Sequence, residues 1–89
     1  MTPPKIIAYL SPFCFWTRGV LKVLEKYGLD FEYRNVSSNP DDFEEMVQKS
    51  GQYSSPCVEI NGHMLADVGG DEVEDWMRQR GMLEVPAEA

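Results

Sequence analysis

One succession near the N-terminus narrows the possible folds more than anything else in the sequence: a strand, a proline-bearing loop, a helix and a second strand. Lys5-Ile6-Ile7-Ala8-Tyr9-Leu10 is a short apolar run rich in β-formers. Ser11-Pro12 follows at once, so the run reads as a buried strand entering a loop. From Phe15 to Tyr27 the apolar residues Val20, Leu21, Leu24 and Tyr27 recur at helical spacing, and Gly28 is placed to end the helix in a left-handed cap. Phe31 to Val36 then alternates apolar with polar over most of its length, as a strand with one solvated face does. In a chain of 89 residues, two strands joined through a helix imply a right-handed parallel crossover, which leaves few topologies open.

The remaining segments complete that start. Asn39-Pro40 supplies an N-cap and a first-turn proline, the acids Asp41, Asp42, Glu44 and Glu45 crowd the helix start, and Gly51 ends the helix. Pro56-Cys57-Val58-Glu59-Ile60, Asn61-Gly62 and His63-Met64-Leu65 predict a hairpin closed by a type I′ turn. Asp71 is expected to cap a last helix with the apolar face Val73, Trp76 and Met77, where Trp76 reads as core, with Arg80 in the last turn and Gly81 beyond. The tail from Glu84 to Ala89 reads as frayed. The predicted order is β-α-β-α-β-β-α, an α/β fold whose four-stranded mixed sheet is flanked by three helices. It forms one domain over residues 1–89, with a core from about residue 5 to 83.

Charge narrows the partners. With eight Lys and Arg against fifteen Asp and Glu, the net charge is −7, which argues against nucleic acid or an anionic membrane, since clustered cations hold both. No apolar run reaches the length of a membrane span, and Met1-Thr2-Pro3-Pro4 lacks the basic and apolar regions of a secretory signal, so a cytoplasmic monomer is expected. Cys14 and Cys57 are too few for a disulfide scaffold and lack zinc-ligand spacing, and His63 reads as an exposed strand residue; no metal site is expected.

Cys14 falls in the loop between the first strand and the first helix. A sulfur at or just before a helix N-terminus meets unpaired N–H groups and the positive end of the helix dipole. Such cysteines have pKa values lowered from ~8.5 to between ~3.5 and ~7.5, and the thiolate is the nucleophile. Arg18, four residues on, adds a second positive group if its side chain turns back. Most free cysteines are small buried hydrophobes instead; position and helix context favour the reactive role for Cys14. Cys57 should point away from the face shared by Val58 and Ile60, and a packing role suits it better than that of a second thiol.

Tyr9, Pro12, Phe13 and Cys14 in the first loop, then Ser50-Gly51-Gln52, Pro56 and Asn61-Gly62, together resemble a glutaredoxin from the first strand to about Leu83. The resemblance implies a thioredoxin-like fold and thiol–disulfide exchange with glutathione as co-substrate, acting on glutathionylated or disulfide-containing proteins. In that family the first loop carries C-P-Y-C or a monothiol variant. Here Cys14-Phe15-Trp16-Thr17 has threonine in place of the resolving cysteine, so the implied mechanism is monothiol, with Cys14, Thr17 and Arg18 as catalytic candidates. Pro56 corresponds to the family's cis-proline, and the backbone of Ser55 to the strand-like contact with the tripeptide. Phe15 and Trp16 would line the groove, with Trp16 as its aromatic lip. Gln52 would reach a carboxylate, though it also reads as an exposed loop residue. Asp71, or less favourably Asp67, would meet the ligand's amino group, and Asp71 serves equally as a helix cap.

Three departures keep other readings open. A lysine frequent three residues before the family nucleophile is Ser11 here. The motif differs from C-G-F-S, which makes a glutathione-ligated [2Fe–2S] carrier a less favoured alternative. Ser11-Pro12-Phe13-Cys14 also reads as a C-P-Y-C motif whose first cysteine became serine, which would leave a redox-inert binding module.

Overall fold

The computed structural model describes residues 4–83, so the N-terminal Met1-Thr2-Pro3 and the tail from Glu84 to Ala89 lie outside it. Its elements are β1 (Ile6–Leu10), α1 (Thr17–Lys26), β2 (Glu32–Asn35), α2 (Pro40–Ser50), β3 (Cys57–Ile60), β4 (His63–Leu65) and α3 (Gly70–Gln79). The sheet order is β2-β1-β3-β4. β1 runs parallel to β2 and antiparallel to β3, and β3 pairs antiparallel with β4, giving the mixed sheet expected. β1 is thus a central strand, and all five of its residues are buried.

Alternation along β1 and β3 splits the core in two. Ile6, Ala8, Leu10, Val58 and Ile60 face one side, where α1 (Val20, Leu24) and α3 (Val73, Met77) cover them. Ile7, Tyr9 and Cys57 face the other, covered by Met46 and Val47 of α2. A period of two in the strands and 3.6 in the helices suffices to place these residues.

Local chemistry fixes the boundaries. Asn39 caps α2 by accepting from the amides of Asp41 and Asp42, Pro40 occupies the first turn, and Gly51 takes the left-handed conformation (φ 73°). Asn61 and Gly62 both have positive φ (50° and 87°), as the β3–β4 turn requires. Asn61 also fastens this turn to the start of β1: its Oδ1 accepts from the Lys5 amide at 2.8 Å and its amide donates to the Lys5 carbonyl at 2.9 Å.

Three expectations need correction. α1 begins at Thr17 rather than Phe15, because residues 14–16 form a separate turn. The cap of α3 is Gly69, not Asp71; Glu72 reaches back to accept from the Gly69 amide at 3.1 Å, and Asp71 lies inside the first turn. This glycine-led start has a steric cause. A Cβ on Gly70 would fall 2.3 Å from the Gly19 carbonyl oxygen, so α1 and α3 approach closely only without a side chain there. Trp76 is half-buried at the core edge, stacked with the His63 ring (4.8 Å) and in cation–π contact with the Arg80 guanidinium (4.0 Å).

Candidate active site

β1 ends at the buried Leu10, and the chain then folds back on Ser11. The Ser11 carbonyl accepts from the Cys14 amide (3.0 Å) and from the Thr17 hydroxyl (2.7 Å), while its side-chain oxygen accepts from the Phe13 amide (3.2 Å). Cys14 in turn accepts from the Thr17 amide at 3.2 Å. A loop tied down on its inner side must project its other residues outward. Phe13, Phe15 and Trp16 are exposed by 89%, 85% and 61%, and Cys14 between them is partly exposed. Cys14 lies two residues before the helix cap, Trp16. Thr17 is buried and clamps the loop to the end of β1.

The facing wall is the segment from Gln52 to Pro56. The Ser55–Pro56 peptide bond is cis, and Cys14 Sγ lies 3.6 Å from the Ser55 carbonyl oxygen. Among the described residues neither the amide nor the carbonyl of Ser55 pairs with another main-chain group. Gln52 is half-buried rather than exposed. Its amide nitrogen donates to the Ser54 carbonyl (2.8 Å) and to Cys57 Sγ (3.1 Å), and its side-chain oxygen accepts from the Ser54 amide, so the side chain shapes the wall from behind.

Two hollows adjoin this pair of walls. One, of about 250 Å³, runs past Pro56 between Trp16 and the segment Asp67, Val68, Gly69 and Glu72. The Val68 amide donates to the Pro56 carbonyl at 3.0 Å, which fixes this segment against the proline. The other, of about 430 Å³, opens on the far side of Cys14, between Phe13, Phe15, Arg18, Leu21 and Tyr33. Asp71 borders neither; it lies farther along the seam between α1 and α3, with Lys22 and Lys26 across from it. Asp67, at a positive φ of 54°, and Glu72 are therefore the acids that the fold brings to the proline side.

The two thiols occupy different settings. Cys57 is fully buried on the α2 side of the sheet, donates to the Ser54 carbonyl at 3.2 Å, and has its pKa pushed up by that burial. Next to it, Tyr9 is pushed up to about 12 by burial and by its hydrogen bond to Glu45. Among the described residues no three side chains of His, Cys, Asp or Glu cluster as metal ligands, and no helix is long and apolar enough to cross a membrane.

Glu72, Leu21 and Tyr33 are site neighbours that the sequence did not single out. Glu72 carried a signal, since a glutamate three residues after a cap position is half of a capping box. Tyr33 carried none, because it comes to line the same hollow as Cys14 only through the β1–β2 pairing, where Ala8 lies opposite it.

Known proteins share this architecture. The glutaredoxin family model matches residues 6–65. An uncharacterized glutaredoxin-like 8.6 kDa protein in the rubredoxin operon of Clostridium pasteurianum is 27% identical over 66 residues, covering 74% of this chain and 88% of that protein. The glutaredoxin of Methanosarcina mazei superposes with a TM-score of 0.66 at 26% identity, over 86% of this chain and 78% of its own. That of Archaeoglobus fulgidus gives 0.68 at 20% identity, over 82% and 85%. The fold is thioredoxin-like, and with the family model spanning β1 to β4, the chain belongs to the glutaredoxin family.

Proposed function

We propose that this protein is a thiol–disulfide oxidoreductase that works through Cys14 alone, on mixed disulfides of glutathione. The observation that carries the proposal is the pairing of a partly exposed Cys14 sulfur with the unpaired backbone of Ser55, 3.6 Å away. A peptide laid along Ser55 in strand-like pairing presents its own sulfur to Cys14. The Cys14 thiolate attacks the glutathione sulfur of a mixed disulfide. The S–S bond breaks, the departing thiolate takes a proton from water, and glutathione stays on Cys14. A second glutathione thiolate attacks the same glutathione sulfur, forming oxidised glutathione and returning Cys14 as thiolate. Thr17 cannot form the internal disulfide of a dithiol cycle; it holds the loop in shape. Asp67 and Glu72 at the proline side would receive the amino group of the tripeptide.

Mass spectrometry after exposure to oxidised glutathione provides the test. One glutathione should add to the protein, on Cys14, and Cys14→Ser should abolish the addition. An adduct confined to Cys57, or none on the unmodified protein, would overturn the assignment.

A further inference from the structure

The disulfide bond prefers a dihedral angle of roughly 90°. If one substituent of the reacting disulfide lies along Ser55, the other leaves the sulfurs nearly at right angles and cannot follow the same groove. Cys14 borders a second hollow of about 430 Å³ that does not include Pro56. Its character is opposite to that of the proline side. Phe13, Phe15, Leu21 and Tyr33 give it apolar walls, and its single charged lining residue is Arg18. The proline-side hollow has Asp67 and Glu72 and no cation.

Arg18 also stands apart from the other arginines of this acidic chain. Arg34 pairs with Glu32, Asp42 and Glu45, Arg78 pairs with Glu74 and Asp75, and Arg80 lies on Trp76 and donates to its carbonyl. Among the described residues Arg18 has neither an ion pair nor a side-chain hydrogen bond, and it is exposed at the mouth of the hollow. An unpaired guanidinium over aromatic and aliphatic walls suits a carboxylate carried on an apolar or aromatic body.

Resting on the exchange chemistry proposed above, we infer that this second hollow is a substrate subsite for the partner thiol, the one that does not lie along Ser55. It favours thiols with an apolar or aromatic body and a carboxylate. During exchange that thiol leaves as its thiolate when Cys14 takes over the other sulfur, so Arg18 acts on its carboxylate while the S–S bond is exchanged without net change in redox state.

Stopped-flow absorbance can separate this from a general effect on the sulfur, using two aromatic disulfides with chromophoric leaving thiols: the dicarboxylate dithiobis(nitrobenzoate) and the neutral dithiodipyridine. The measured quantity is the ratio of their second-order rates at Cys14 in a Cys57→Ser background. Arg18→Gln should lower that ratio about fivefold at low salt, and less at high salt, while Arg18→Lys should restore part of it. Tyr33→Ser, at an exposed strand position, should reduce saturation by both aromatic reagents relative to the aliphatic disulfide cystamine. An unchanged ratio in Arg18→Gln, including one where both rates fall in parallel, would overturn the subsite and leave the role of Cys14 intact. Failure of both reagents to modify Cys14 at all would overturn the exchange chemistry as well.

Discussion

The two faces of the sheet solve the same burial problem differently. Under α1 and α3 the core is wholly apolar, with nine buried residues from four elements in one cluster. Under α2 the buried cluster is smaller, Ile7, Tyr9, Met46 and Cys57 among the described residues, and a polar network finishes the coverage. Tyr9 donates to Glu45, Lys49 spans Glu45 and Glu59, and Arg34 links Asp42 and Glu45 to β2. The rim of this face is completed by long side chains that lay their stems on it while their charges stay near water. The first face supplies stability, and the second supports the wall that confronts Cys14.

The largest expected effect lies on the apolar face. Leu24→Ala should cost about 3 to 4 kcal/mol, because Leu24 is fully enclosed and two packed helices relax poorly around a cavity. Met46→Ala on the α2 face should cost less, about 2 kcal/mol, since the thinner cover can settle into the space. Denaturant melts of the two variants measure the difference; an equal or greater loss for Met46→Ala would mean that the α2 face is packed as tightly as its opposite.

The cysteines report the same asymmetry chemically. Iodoacetamide at neutral pH should modify Cys14 at least about tenfold faster than Cys57, whose thiol is buried and held above its ordinary pKa by that burial. Peptide mapping against time gives both rates, and comparable values would show that the α2 face opens freely. A smaller effect belongs to the loop between the faces. Thr17→Val removes the hydroxyl that donates to the Ser11 carbonyl at 2.7 Å and should cost about 1 kcal/mol, read as a lowered melting temperature. Its amplitude in the Cys14 alkylation rate tells whether the clamp also shapes the reactive loop.

The smallest effect is electrostatic and depends on pH. The Tyr9 hydroxyl, followed by Arg34 and Lys49, holds the Glu45 carboxyl below its ordinary value. A carboxylate with a lowered folded pKa stabilises the protein above its unfolded pKa, and that contribution disappears as pH falls through the folded value. Glu45→Gln should therefore cost less than about 1 kcal/mol at pH 7, given the partial exposure of the pair. The deficit should shrink as the medium is acidified below pH ~4.5. Equal deficits at both ends would assign the effect to shape rather than charge.

Much of this was legible in the residues themselves. The element order, the caps of α2, the Asn61-Gly62 turn, the division of β3 between Cys57 and Val58, and the loop position of Cys14 all follow from local rules. Those rules act within a few residues, through dihedral preference and side-chain period. Contacts between distant segments were not legible from local rules; the family resemblance alone pointed to the Ser55–Pro56 segment. Gln52 turns inward because Cys57 and the Ser54 carbonyl lie behind it. Glu59, set between the buried Val58 and Ile60, is accommodated by Lys49 of α2. Gly69 rather than Asp71 caps α3, and the next residue, Gly70, must meet the backbone of Gly19 across the helix crossing. That same crossing sets Gly69 against Trp16, with Asp67 lining the hollow between Trp16 and Pro56. The sequence by itself determined which residues are helical, extended or turning, and which sulfur is presented in a loop. Tertiary structure decided how the walls around that sulfur close, because Tyr33 of β2 and the Ser55 backbone ahead of β3 are brought to the end of β1 only when β1 is paired on both of its edges.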